Sequence, residues 1–155
     1  LQKVSHSYKL LIISISSPLK LGVYADNLLI EEIESSKKTS DILMVLIKDI
    51  IDRYDISSII YSHGPGSYMS IKLTYIILKS IEIIRGIPLF GCSAFLLNGE
   101  KPIKAIGNLY FIKEKETIIT KRFDRPIVQE FELPKDISDL DVVSGSIPDY
   151  QLPAV

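Results

Sequence analysis

Hydrophobic and polar positions follow one another with a period that changes along the chain, and each change marks an element. Lys9 to Ser16 is a nearly continuous apolar run rich in Ile, the pattern of a strand covered on both faces. Ser17-Pro18 predicts a turn, Leu19 to Tyr24 alternates, Asp26-Asn27 supplies turn residues, and Leu28 to Ile33 reads as a third strand of an antiparallel meander. After the polar stretch Ser35 to Ser40 the period becomes helical. Ser40 is placed to cap a helix from Asp41 to Tyr54, with Asp41 complementing its dipole. Met44, Ile51, Ile47, Tyr54, Leu43, Ile50 and Leu46 form an apolar arc of roughly 160° on that helix, wider than one buried face needs.

Ile59 to Tyr61 predicts a strand parallel to the first, and Tyr68 to Arg85 a second helix stopped by Gly86. Its arc of about 160° gathers Ile83, Ile76, Met69, Leu73, Ile84, Ile77 and Ile81, with Ile71 and Leu78 further round. Two helices of this kind either pack on each other alone or leave a contiguous apolar surface for a partner, of which a homodimer is the minimum. Pro88 to Ser93 reads as a strand, and Ile103 to Ile106, Tyr110 to Ile112 and Thr117 to Phe123 as further strands, the last two joined through Lys113-Glu114-Lys115-Glu116. Beyond Asp124, Pro126, Pro134, Pro148 and Pro153 punctuate short apolar pieces, the mark of a loop-rich tail. The order predicts an α/β fold, with a strand meander and two packed helices in residues 1–100 and a short β-rich part in residues 101–155.

Between the parallel strand and the second helix lies Ser62-His63-Gly64-Pro65-Gly66-Ser67. Gly64 and Gly66 allow backbone angles or close approaches that a β-carbon would obstruct, Pro65 pre-sets its own φ, and Ser67 is placed to cap the helix. Free N–H groups at the helix start make Gly64, Pro65, Gly66 and Ser67 a candidate anion-binding loop. The spacing is neither a phosphate loop with Gly-Lys-Ser/Thr nor Gly-x-Ser-x-Gly, because Ser70 stands where the last glycine would be needed.

Composition narrows the chemistry. A net charge of −1, with Lys and Arg interspersed among Asp and Glu, argues against strong nucleic-acid binding by this chain alone. Cys92 is the only cysteine, which excludes an intramolecular disulfide, suits a reducing, cytoplasmic setting and reads as a small apolar side chain. No apolar run approaches the roughly 20 residues of a membrane span. His6 and His63 are the only histidines, and neither His-x-x-x-His nor Cys-x-x-Cys occurs, so no metal site and no catalytic residue is assigned; His63 beside Ser67 is the one conceivable base and nucleophile.

The run His63-Gly64-Pro65-Gly66-Ser67-Tyr68-Met69-Ser70-Ile71-Lys72-Leu73, followed by Ile87-Pro88-Leu89-Phe90-Gly91-Cys92-Ser93, resembles the TsaB (YeaZ) family of tRNA threonylcarbamoyladenosine biosynthesis proteins, relatives of the glycoprotease-like TsaD family. That family carries Gly-Pro-Gly-Ser-Phe-Thr-Gly-Leu-Arg here, then a helix and Pro-hydrophobic-x-Gly-hydrophobic-Ser. The resemblance implies an actin-like ATPase (ASKHA) type N-terminal lobe and a short, degenerate C-terminal lobe. It implies a non-catalytic scaffold for TsaD in the complex that modifies adenine 37 of tRNAs reading ANN codons, with TsaE reached through the complex. The partner interface would be built from the two helices, for which Leu43, Met44 and Ile47 on the first and Met69, Leu73 and Ile76 on the second are the candidates. No cofactor is assigned, with room for ATP or ADP at a partner interface. The chain departs from the family where Ser14-Ile15 replaces Asp-Thr at the end of the first strand, and where Met69, Ser70, Lys72 and Lys38-Thr39 replace Thr, Gly, Arg and His-Thr. These losses weaken a nucleotide or protease reading more than a scaffold reading; the alternatives are a small nucleotide-binding ATPase-like protein and an inactive glycoprotease homologue.

Overall fold

Three strands of the meander form as the alternation predicts: β1 (Tyr8–Ile13), β2 (Leu19–Ala25) and β3 (Leu28–Ser35), paired antiparallel in sequence order. The structure is a computed structural model that describes residues 6–145 and 147–151; Pro153 of the predicted tail lies outside them. β1 is shorter than the apolar run because Ser14 to Ser17 leave the sheet to form the turn into β2. Helix α1 (Thr39–Arg53) leads to β4 (Ile56–Gly64), helix α2 (Tyr68–Arg85) to β5 (Leu89–Ser93) and a short 3₁₀ turn (Ala94–Leu97). β4 runs parallel to both β1 and β5, and Gly86 ends α2 in the left-handed region at φ 68°. The three strands β6 (Ile103–Ile106), β7 (Leu109–Glu114) and β8 (Thr117–Arg122) form a separate antiparallel sheet, whose β7–β8 hairpin turns at Lys115-Glu116. A two-residue strand β9 (Val143–Ser144) adds to β5, giving the main sheet the order β3-β2-β1-β4-β5-β9.

The central strands of the main sheet are covered on both faces, which is why β1 carries a nearly unbroken apolar run, whereas the edge strand β3 leaves Leu28 and Ile30 exposed. On one face Leu10, Ile12, Leu21, Val23 and Ile59 pack against Leu43, Ile47 and Ile50 of α1 and Leu78 and Ile81 of α2. On the other, Leu11, Ile13 and Ile60 meet Phe95, Ile103, Phe111, Phe131 and Leu133, so the small sheet and the following loop share a core with the large one. Each fully buried Leu, Ile or Phe contributes about 2 kcal/mol from its area alone.

The helix ends correct two expectations. Lys38, not Ser40, occupies the N-cap of α1, and Ser67 occupies that of α2 without its hydroxyl making a cap hydrogen bond. Neither helix start is therefore closed by a side chain.

Candidate functional site

The Gly-Pro-Gly turn lies at the C-terminal end of β4, the end of a parallel strand where open α/β sheets place ligands. Its two glycines are required for different reasons. Gly64 has φ 123°, and a β-carbon there would also stand 2.7 Å from the Asp149 carbonyl oxygen. A β-carbon on Gly66 would collide with Ile15 Cγ2. Ile15 is 7% exposed and fills the space against the turn with hydrocarbon. Next to it, Ser14 Oγ and Thr74 Oγ1 share a buried hydrogen bond of 2.7 Å, which joins the end of β1 to the middle of α2.

On the far side of Ile15 a cleft of about 690 Å³ opens between the uncapped starts of α1 and α2. Lys37, Lys38, Thr39, Ser67, Ser70 and Leu73 are among its walls. Cations, hydroxyls and free backbone N–H groups give it the chemistry to receive an anion. The four loop residues proposed from sequence do not contribute equally: Ser67 borders the cleft, whereas Gly64, Pro65 and Gly66 do not line it.

His63 and Ser67 form no base–nucleophile pair. The Nδ1 atom of His63 is buried without a hydrogen-bond partner, and the backbone carbonyl of His63 accepts from the Asp149 N–H at 2.8 Å. Burial lowers the imidazole pKa below its ordinary 6.5, opposed by the charge of Asp149. The segment that brings Asp149 there also stacks Tyr150 on Tyr68 with ring centres 4.6 Å apart, a contact that no spacing in the sequence announces. Burial pushes the Cys92 thiol up to about 12, which leaves it an inert packing group. Among the described residues no cluster of three or more His, Cys, Asp or Glu side chains could hold a metal, and no helix is long and apolar enough to cross a membrane.

The interface candidates separate cleanly. Leu43 and Ile47 are fully buried against the sheet and leave the candidate surface; they are core. Met44, Met69 and Ile76 are 49%, 70% and 51% exposed, and Leu73 is half-buried. The buried line of α2 is Ile71, Thr74, Leu78 and Ile81, so the far edge of its apolar arc, Met69, Ile76 and Ile83, faces outward. Val45, Ile83 and Ile84 extend the exposed apolar positions of the two helices.

No protein-family model matches the chain, and no curated protein matches it. Solved structures do. YeaZ from Pseudomonas aeruginosa superposes with a TM-score of 0.59 and 11% identity over 79% of this chain and 70% of that one. A second structure, described as an uncharacterized protein with similarity to peptidase YEAZ from Pseudomonas aeruginosa, gives 0.58 and 12% over 87% and 73%. The chain has the mixed α/β fold of these YeaZ structures, with the large sheet and two helices arranged as in them.

Proposed function

We propose that this protein is a non-catalytic scaffold subunit of the TsaB (YeaZ) type, with an actin-like lobe, which binds a TsaD enzyme in the complex that makes threonylcarbamoyladenosine at position 37 of tRNA. The observation that carries the reading is the outward apolar line of α2, Met69, Ile76 and Ile83, together with the exposed Met44 and Val45 of α1. Positions spaced by seven along one helix lie in a straight stripe, and exposed apolar surface of this extent marks association. The loop residues Gly64 and Gly66 serve packing in this reading, against Asp149 and Ile15. Alone, the same stripe would join two copies of the chain.

The test is co-purification with the TsaD of the same organism, followed by size measurement. Met69→Asp and Ile76→Asp should each leave the fold intact and lose TsaD, because an unpaired carboxylate in a desolvated interface costs a few kcal/mol. If every variant that loses association is also unfolded, the stripe is ordinary packing and the reading fails.

A nucleotide held at the partner interface is a second reading, favoured by the cleft between the helix starts and opposed by the hydrocarbon that Ile15 places against the loop. Titration calorimetry with ATP and ADP, with and without TsaD, decides it: no heat in either mixture removes the nucleotide.

A further inference from the structure

The small sheet carries a charge that the whole-chain balance hides. Residues 101–125 hold seven Lys and Arg against three Asp and Glu, whereas the rest of the chain holds eleven against sixteen. Glu114 and Glu116 belong to the β7–β8 hairpin tip. Away from the tip the sheet and its exit present Lys104, Lys121, Arg122 and Arg125, all exposed, with Asp124 as the one carboxylate in that stretch. None of these four cations reaches a carboxylate among the described residues; the ion pairs of the region use Lys101 and Lys113 instead.

The strand register sets two of them in a row. Lys104 lies opposite Tyr110, and Tyr110 opposite Lys121, so both lysines leave the sheet on the face that Tyr110 occupies. Two strand spacings separate them by about 10 Å. Lys121 Nζ stands 5.4 Å from the centre of the Phe123 ring, and Arg122 Nη1 donates to Asn108 Oδ1 at 2.7 Å, so both cations are held in place by neutral groups. Tyr110 itself is 2% exposed and accepts the Ile127 N–H, which leaves it no free face for a base.

We propose that this face of β6–β8 contacts the sugar–phosphate backbone of a nucleic-acid duplex. Cations that converge select a single anion; these are spread, at a separation comparable with duplex groove widths of roughly 6 to 12 Å. A polymer that repeats its charge satisfies such a row, and with Tyr110 closed off the contact is one of charge and shape. The net charge of −1 for the whole chain keeps the contact weak, an auxiliary to a larger assembly. This inference stands apart from TsaD binding and is tested on the isolated full chain.

The experiment is fluorescence anisotropy with a labelled RNA duplex of about 20 base pairs, repeated with a DNA duplex, at about 50 and about 200 mM salt. Binding should fall roughly 12-fold across that range, as expected for the two phosphate contacts of Lys104 and Lys121. The pair Lys104→Ala and Lys121→Ala together should reduce the logarithmic salt slope by about two, with an unchanged melting temperature, while Arg85→Gln on the far helix end should not alter it. Absence of duplex binding at the lower salt, or a salt slope that the double variant does not change, overturns the proposal. Tighter binding to poly-glutamate than to either duplex also overturns it and assigns the face to an acidic protein.

Discussion

The central strands of the main sheet are covered on both faces, but the two coverings are not alike. On one side α1 and α2 bury Leu43, Ile47, Leu78 and Ile81 and turn Met44, Met69 and Ile76 to the outside. On the other side the small sheet buries Ile103 and Phe111 and turns Lys104 and Lys121 outward. A cover needs one apolar face to do its packing, and what the second face carries is free to vary. Hydrocarbon outside the helices and cations outside the strands therefore point to two different kinds of contact on opposite sides of one sheet.

The sharpest way to break that comparison is to place the same charge on the inner and outer lines of the helices. Leu43→Asp should cost more than about 4 kcal/mol and leave the chain unfolded, since a carboxylate would be trapped in the core. Ile76→Asp should change stability by less than about 1 kcal/mol while abolishing association, as read by thermal melting and sedimentation. Equal losses of stability would erase the distinction between the lines. Next in size, Gly66→Val should cost about 1 to 3 kcal/mol by overpacking against Ile15. The cost should shrink in an Ile15→Ala background, and unfolding curves of the four proteins of that cycle would show it.

A smaller effect is expected at the polar seam inside the helix cover. Thr74→Val strands the Ser14 hydroxyl and should cost about 1 to 2 kcal/mol, part of which Ser14→Ala restores in the double variant. The least costly probe is pH. Hydrogen bonds from Arg53 and then Tyr54 lower the Glu31 pKa from 4.5 to about 2, so its carboxylate stabilises the fold above about pH 4.5 and loses that contribution as pH falls toward 2. The melting-temperature gap between the natural protein and Glu31→Gln should therefore narrow across that window; a constant gap would show that the interaction is not ionic.

Much of this architecture was legible before any coordinates. The bounds of α2, the Gly86 stop, the parallel β1–β4 pair and the β7–β8 hairpin all follow from local patterns with direct physical causes. The inward face of α2 did not. A helical wheel weighs hydrophobicity alone, and Thr74 sits in the buried line because Ser14, sixty positions earlier, satisfies its hydroxyl. With a polar residue in that line, the wheel shows a wide apolar arc without marking which of its edges meets the sheet. Ser40 failed as a cap for a related reason: the helix starts at Thr39, before the residue best suited to cap it. The loop residues were recognised as special, but the contact that constrains Gly66 comes from Ile15 and the one that constrains Gly64 from Asp149, both distant in sequence.

Phe131, Leu133 and Ile137 complete the core that β1 and β4 began with Leu11, Ile13 and Ile60. In a chain made from its N-terminus this has a temporal meaning. The helix-covered face can close once β5 has emerged, while the opposite face of the same sheet is first covered in part by Phe95, Ile103 and Phe111 and is completed only when Phe131, Leu133 and Ile137 have followed. A nascent chain halted between Phe111 and Phe131 would carry that face incompletely covered, and the window in which this protein most needs a chaperone closes with those three side chains.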